Sequence, residues 1–198
     1  MPLNISDIAD NPSLLTYKIS LPDTEMATFR PLEPQDVEVL AQFFKNLSSE
    51  TRKYYIMESY DIKMARELCA AINRYDKLRF VLEHNILKKL IALFEFSFDI
   101  PINDKQRFIK YDIRLDSTDC RMGPCLADEY QNQGIGSIIL PYLIDIAKKF
   151  GKKRMILWGG VFAENKRAIN FYEKYDFKKL GRFISDNGRE SWDMIRNT

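Results

Sequence analysis

Histidine and cysteine are scarce in this sequence. His84 is the only histidine among 198 residues, so a histidine-based triad or a multi-histidine zinc site has nothing to be built from beyond this one lone base. The three cysteines, Cys69, Cys120 and Cys125, form an odd set without metal-ligand spacing. On one regular strand Cys120 and Cys125 would face opposite sides, because an odd number of steps separates them. All three read as free thiols in a reducing compartment, and no metal is expected. Blocks of like charge are absent too. Lys plus Arg number 30 against 28 for Asp plus Glu, a net +2, which offers neither a nucleic-acid footprint nor a membrane-binding face. Lys148, Lys149, Lys152, Lys153 and Arg154 do cluster, but at the end of an expected helix, where cations suit the negative pole of the dipole. The most apolar stretch, Ile138 to Ala147, is broken by Pro141 and Asp145 and falls short of the ~20 residues that span a bilayer. Asp7 and Asp10 precede the first basic residue, Lys18, unlike a secretory signal. The expectation is a cytoplasmic protein without nucleic-acid or membrane partners.

What is present suits one globular domain over residues 1–198, with 45% hydrophobic residues to supply a core. Residues 1–24, punctuated by Pro2, Pro12 and Pro22, read as an irregular lead-in. A strand is expected over Met26 to Arg30. A helix then opens at Glu33-Pro34, with Val37, Leu40, Ala41, Phe44 and Leu47 as its apolar stripe. A short helix at Ser49 to Tyr55 and another capped by Asp61, with Ala65, Leu68, Cys69 and Ile72 as its apolar face, come next. Arg79 to Glu83 and Leu90 to Phe98 form an expected strand hairpin, and residues 108–115 and 119–126 two more strands. Ser137 to Phe150 is an expected helix stopped by Gly151, and Met155 to Trp158 a strand ending at Gly159-Gly160. A helix capped by Asn165 runs to about Tyr175. Residues 178–185 and 190–195 flank Asn187-Gly188 as a hairpin whose turn residues both call for positive φ. The order describes a mixed α/β sheet.

The chemistry gathers where the strand at 119–126 meets the following helix. The first turn of a helix presents unpaired N–H groups and partial positive charge, which together favour phosphate. Gly134 and Gly136 keep side chains away, so the amides of Gln133, Gly134, Ile135, Gly136 and Ser137 can act as donors, with the Gln131 side chain adding another. No Asp or Glu stands in that first turn to repel an anion, and Pro141 lies deeper. Two glycines alone would make only a tight turn. The full G-x-G-x-x-G is missing, since Ile139 occupies the third glycine's place, and no Gly-Lys-Ser/Thr follows as in a P-loop.

Gln131-Asn132-Gln133-Gly134-Ile135-Gly136, led by Asp128-Glu129-Tyr130, resembles the Gln/Arg-x-x-Gly-x-Gly/Ala signature of the GNAT superfamily of N-acetyltransferases. A second block of that family follows in order after the next strand: Asn165, Ala168, Tyr172 and Tyr175-Asp176-Phe177, with Asp176 where members usually carry Gly. The resemblance covers roughly residues 28–196, its specific motifs 126–177. It implies a GNAT-like fold, a central twisted six- or seven-stranded mixed sheet flanked by helices and splayed at the acetyl-CoA site. Pantetheine would lie between the strand ending near Leu126 and the one ending near Trp158, bonded by backbone around Cys125, Leu126 and Ala127.

The family's reaction is direct attack of a primary amine on the thioester. The resemblance makes Tyr172 the acid at the departing sulfur and the Leu126 amide the oxyanion donor, with Asn165 contacting CoA. Core packing and an N-cap are the alternatives for Tyr172 and Asn165. Cys125 is expected to pack rather than act as a nucleophile. Glu95, Asp112, Asp128 and Glu129 are candidate bases, and Tyr54, Tyr55, Tyr60, Phe96, Phe98, Trp158 and Trp192 candidate walls of an acceptor pocket. The acceptor itself is not encoded in these motifs. A homodimer is compatible with the family. A catalytically silent CoA-binding module of the same fold, or a different nucleotide-binding α/β protein, remains the alternative.

Overall fold

The computed structural model describes residues 2–71 and 77–198. Nine strands form one mixed sheet: β1 (Tyr17–Ser20), β2 (Met26–Pro31), β3 (Lys77–His84), β4 (Leu90–Ser97), β5 (Asp119–Leu126), β6 (Arg154–Leu157), β7 (Val161–Phe162), β8 (Lys178–Ile184) and β9 (Glu190–Asn197). Their hydrogen-bonded order is β1-β2-β3-β4-β5-β6-β9-β7, with β8 also on β9. β5 and β6 run parallel; the β1–β2, β2–β3, β6–β9, β7–β9 and β8–β9 pairs are antiparallel. Seven strands stand where the sequence pattern puts them. The two additions, β1 and the two-residue β7, lie in the supposed lead-in and just past Gly159-Gly160. Contacts divide the chain into two units, residues 1–95 with 124–146 and residues 96–123 with 147–198.

In the first unit the N-terminal residues are not irregular. Asn4 caps helix α1 (Ile5–Asp10), a 3-10 turn follows at Pro12–Leu15, and β1 pairs with β2 from Tyr17↔Phe29 to Ser20↔Met26. The proline spacing concealed this, because Pro12 sits in the first turn of a helix, where its missing N–H costs nothing. Helix α2 (Val37–Asn46) buries Leu40, Phe43 and Phe44. Its entry is pinned by Arg30, which donates to both Asp36 oxygens (2.7 and 2.8 Å) and to Glu83 (2.9 Å). Ser48 caps α3 (Ser49–Tyr54). Asp61 caps α4 (Ile62–Ala70) through the Lys63 and Met64 amides, and α4 buries Met64, Ala65, Leu68 and Cys69. Ile72 lies outside the described residues. Helix α6 (Ile135–Lys149) runs on through the exposed Pro141, and its Tyr142 packs at a tilt against Tyr17 and edge-on to Phe29.

The second unit holds the largest departure from the sequence pattern. No strand occupies residues 108–115. Helix α5 (Ile102–Ile109) covers the first part, and Asp112, at φ 58°, turns the chain out of it. The alternation of Tyr111, Ile113 and Leu115 imitates a strand. Its cause is instead a loop whose apolar residues pack with Ile100, Phe108, Ile156 and Ile195. Helix α7 (Lys166–Lys174) is capped by Asn165 as expected. The β8–β9 hairpin closes through Ser185 N to Arg189 O (2.9 Å), a three-residue loop in which Gly188 alone has positive φ (77°). The Asn-Gly pair therefore makes a bulged turn, not the two-residue one.

Beneath α5 a buried polar chain forms. Arg107 donates to Asp193 (2.8 Å) and Asp104 (2.7 Å), and Tyr111 donates to Asp193 (3.0 Å). Burial raises the Asp193 carboxyl above its ordinary range, with Arg107 and Tyr111 pulling it back down. The folded pKa thus exceeds the unfolded value of ~3.9, so ionising Asp193 costs stability as pH climbs through that window. Arg107→Ala should lower the unfolding free energy by about 3 kcal/mol at pH 7. In urea melts the loss should shrink as the pH is lowered and Asp193 takes up its proton; a loss independent of pH would refute this coupling.

Candidate functional site

The pairing of β5 with β6 runs from Asp119↔Arg154 to Met122↔Leu157 and then stops. Trp158 N donates to Met122 O (2.9 Å), after which Gly159 and Gly160 take φ of 69° and 72° and turn the chain away. A Cβ on Gly160 would stand 2.7 Å from both the Trp192 carbonyl and the Phe183 ring, so only glycine fits there. β5 itself continues to Leu126.

Backbone groups of a strand alternate between its two edges. Ala127 N donates to Ile91 O (2.9 Å), on the β4 side. By alternation Pro124 and Leu126 face the other edge, the one on which Met122 O meets Trp158 N. Proline has no N–H, so beyond Met122 that edge offers the Pro124 carbonyl and the Leu126 amide. The Leu126 carbonyl is already bonded by Gln131 Nε2 (3.0 Å).

The loop to α6 is shaped by two left-handed residues, Asn132 (φ 61°) and Gly134 (φ 82°). Nothing lies within 4 Å of the position of a Gly134 Cβ, so its glycine is required by backbone conformation, not by space. Gly134 O accepts from Ser137 N (2.9 Å) and Ile138 N (3.1 Å). The Ser137 amide, expected as a donor to a ligand, is therefore already engaged. Among the described residues, no protein acceptor is bonded to the amides of Gln133, Gly134, Ile135 or Gly136, and the first turn of α6 carries no acid. These open donors and the absence of opposing charge fit a phosphate.

Around this loop stand two carboxylates of interest. Asp128 accepts from Ser48 N (2.8 Å), Ser48 Oγ and Thr51 Oγ1 (2.7 Å). Burial pushes its carboxyl up, but these bonds outweigh it and hold the pKa below the ordinary value. Glu95 on β4 accepts from Arg79 Nε and from the Tyr55 hydroxyl, each at 2.7 Å. Burial first, then the negative charge of Glu95, raises the Tyr55 phenol well above its usual pKa and so keeps it neutral. Burial likewise pushes the Cys125 thiol up, with Asp128 and Glu95 adding to the effect. Glu129 is exposed and paired with Lys89 (2.5 Å), and Asp112 is exposed in the turn after α5. No sequence motif marks Arg79, Thr51 or Ser48 beyond the Ser48-x-x-Thr51 spacing of a helix cap.

In the second unit, Asn165 Oδ1 caps Ala168 N (3.1 Å). Tyr172 is 5% exposed, its ring packed on Phe177 with centroids 5.1 Å apart. Burial raises its phenol pKa. Among the described residues, nothing is hydrogen-bonded to its hydroxyl. Asp176 takes φ 63°, the left-handed backbone that a glycine would provide there. Trp158 lies under the Arg121 guanidinium at 4.3 Å. No group of three or more His, Cys, Asp or Glu able to hold a metal occurs among the described residues, and no described helix is long and apolar enough to cross a membrane.

Comparison with known proteins bears on the fold and the family. No curated protein matches the sequence. Among solved structures, the GNAT domain of S. lividans PAT superposes with TM-score 0.71 at 17% identity, covering 94% of this chain and 99% of that one. Mycobacterium smegmatis RimJ, solved with CoA-disulfide, gives TM-score 0.70 at 12% identity over 92% and 87% of the two chains. Spermidine N-acetyltransferase from Vibrio cholerae, solved with CoA and spermine, gives 0.64 at 22% over 86% and 95%. At these identities the likeness is one of fold. The model of the Acetyltransferase (GNAT) family matches residues 41–177, most of the sequence and both motif blocks, and the chain therefore belongs to the GNAT acetyltransferases.

Proposed function

We propose that this chain transfers an acetyl group from acetyl-CoA to a primary amine by direct attack, with residues 1–198 acting as one N-acetyltransferase domain. The observation that carries this reading is the set of open amides from Gln133 to Gly136 at the start of α6, joined by a short loop to a β5 edge that has lost its strand partner. Those amides take the diphosphate, with Gln131, Asn132 and Ser137 completing the loop. The Pro124 carbonyl and Leu126 amide suit the alternating amides of pantetheine, while Cys125 and Ala127 hold the strand between and after them. Asn165, its oxygen committed to the cap, contributes its side-chain N–H groups to CoA. Acetyl-CoA supplies the activated acyl group.

The chain's own residues then do four things. The Leu126 N–H stabilises negative charge as it develops on the thioester oxygen. Glu95 removes a proton from the incoming ammonium, which at a pKa of ~10.4 is otherwise charged at neutral pH. Of the four candidate carboxylates it fits best: the Asp128 oxygens are taken up by three donors against two for Glu95, and Glu129 and Asp112 are exposed. Arg79 and Tyr55 fix the Glu95 oxygens and leave each with acceptor capacity. Tyr172 donates to the departing sulfur. With a phenol pKa raised above 10 against ~8.5 for a thiol, it passes on a proton from the attacking nitrogen instead of releasing its own. A bond from nitrogen to the acetyl carbon forms, the carbon–sulfur bond breaks, and amide, thiol and one proton result. Cys125, protonated and buried, takes no covalent part.

Calorimetry with CoA, ATP and NAD tests the donor site, and only CoA is expected to bind tightly. Gly134→Asp, which sets a carboxylate among the open amides, should weaken CoA by about tenfold or more; undiminished binding would overturn the cradle. Tyr172→Phe should lower kcat by about a hundredfold while sparing CoA binding. Glu95→Gln should cost about 10²–10⁴-fold in kcat/KM while sparing CoA binding, and an unchanged kcat/KM would remove Glu95 as the base. CoA binding without thiol release across a broad amine panel would instead indicate a silent CoA-binding module.

A further inference from the structure

Gln131 opens the phosphate-loop motif, yet its side chain turns back into the protein. Nε2 donates to Leu126 O (3.0 Å) and to Thr51 Oγ1 (2.8 Å), so both amide hydrogens are engaged. The direction of these bonds is fixed by chemistry. The Asp128 carboxylate can only accept, so Thr51 must give it its single hydroxyl proton (2.7 Å). The Thr51 oxygen is then left as an acceptor, and only the NH₂ end of Gln131 can meet it. Ser48 completes the clasp by donating to Asp128 from its backbone N (2.8 Å) and hydroxyl while accepting from Thr51 N (3.1 Å). The clasp thus grips the first residues of α3. At the other end of this six-residue helix stands Tyr55, whose hydroxyl reaches Glu95.

We propose that Gln131, Thr51 and Asp128 are positioning residues that tie α3, and with it Tyr55 and Glu95, to the Leu126 peptide, so that the donor loop and the acceptor amine keep one register. Gln131 on this view does not bind the diphosphate. The inference rests on the N-acetyltransferase reading for its kinetic consequence, but the clasp itself exists in the free protein.

Two measurements test it. In kinetics, Gln131→Ala and Thr51→Val should each lower kcat/KM for the acceptor by about tenfold and leave the Kd of acetyl-CoA within about threefold. Thr51→Ser, which keeps the hydroxyl, should restore the wild-type rate, and the double variant should lose little more than either single one. In ligand-free hydrogen exchange, Gln131→Ala should speed exchange of the amides of residues 49–55, far along the chain from the substitution. Weakening of acetyl-CoA by about tenfold or more with kcat intact would make Gln131 a phosphate ligand and overturn the proposal. Unchanged exchange over residues 49–55 would show that no clasp exists, and faster exchange with unchanged kcat/KM would reduce it to structural support. If wild-type protein acetylates no amine, the proposed function fails, while the exchange arm still decides the clasp.

Discussion

Buried backbone N–H and C=O groups must find partners, and β6 stops supplying them to its edge of β5 after Met122. Everything at the candidate site follows from that interruption. Gly159 and Gly160 carry β6 away because their left-handed backbone and, at Gly160, the closeness of Trp192 and Phe183 admit no side chain. Gln131 returns to satisfy the Leu126 carbonyl, leaving a short edge of one acceptor and one donor. The loop that reaches Gln131 then leads into a helix at whose start the amides of Gln133 to Gly136 are likewise without protein partners among the described residues. Strand edge and helix start are the same physical situation twice over: polar backbone without a protein partner among the described residues.

Much of this was legible in the sequence, and unevenly so. The loop from Gln131 to Gly136, the Asn165 cap and the Gly159-Gly160 break depend on local chemistry, which residue type and order reveal. The left-handed Asp176 in place of glycine was legible for the same reason. The misread segments are those in which tertiary packing imitates a local pattern. Tyr111, Ile113 and Leu115 alternate like a strand because a loop lays them on one apolar cluster. The first 24 residues looked broken by proline, yet Pro12 merely starts a 3-10 turn ahead of β1. The Asn187-Gly188 turn needs one positive φ instead of two, since a bulge takes up the third loop residue.

Side-chain partnerships across long separations were the least legible. Sequence offered Glu95, Asp112, Asp128 and Glu129 as equals. What separates them is company: Arg79 and Tyr55 for Glu95, Ser48 and Thr51 for Asp128, Lys89 for Glu129. The Thr51–Asp128 and Thr51–Gln131 bonds bridge segments brought together only by folding, and no spacing rule announces them.

Pro124 has a second consequence. A strand edge that loses its neighbour is a template on which another chain's strand can pair, and such edges promote self-association. With proline at that position the exposed edge lacks a donor where a ladder would need one, and Gln131 already occupies the next carbonyl. The end of β5 is therefore a poor seat for a strand from a second copy of the protein.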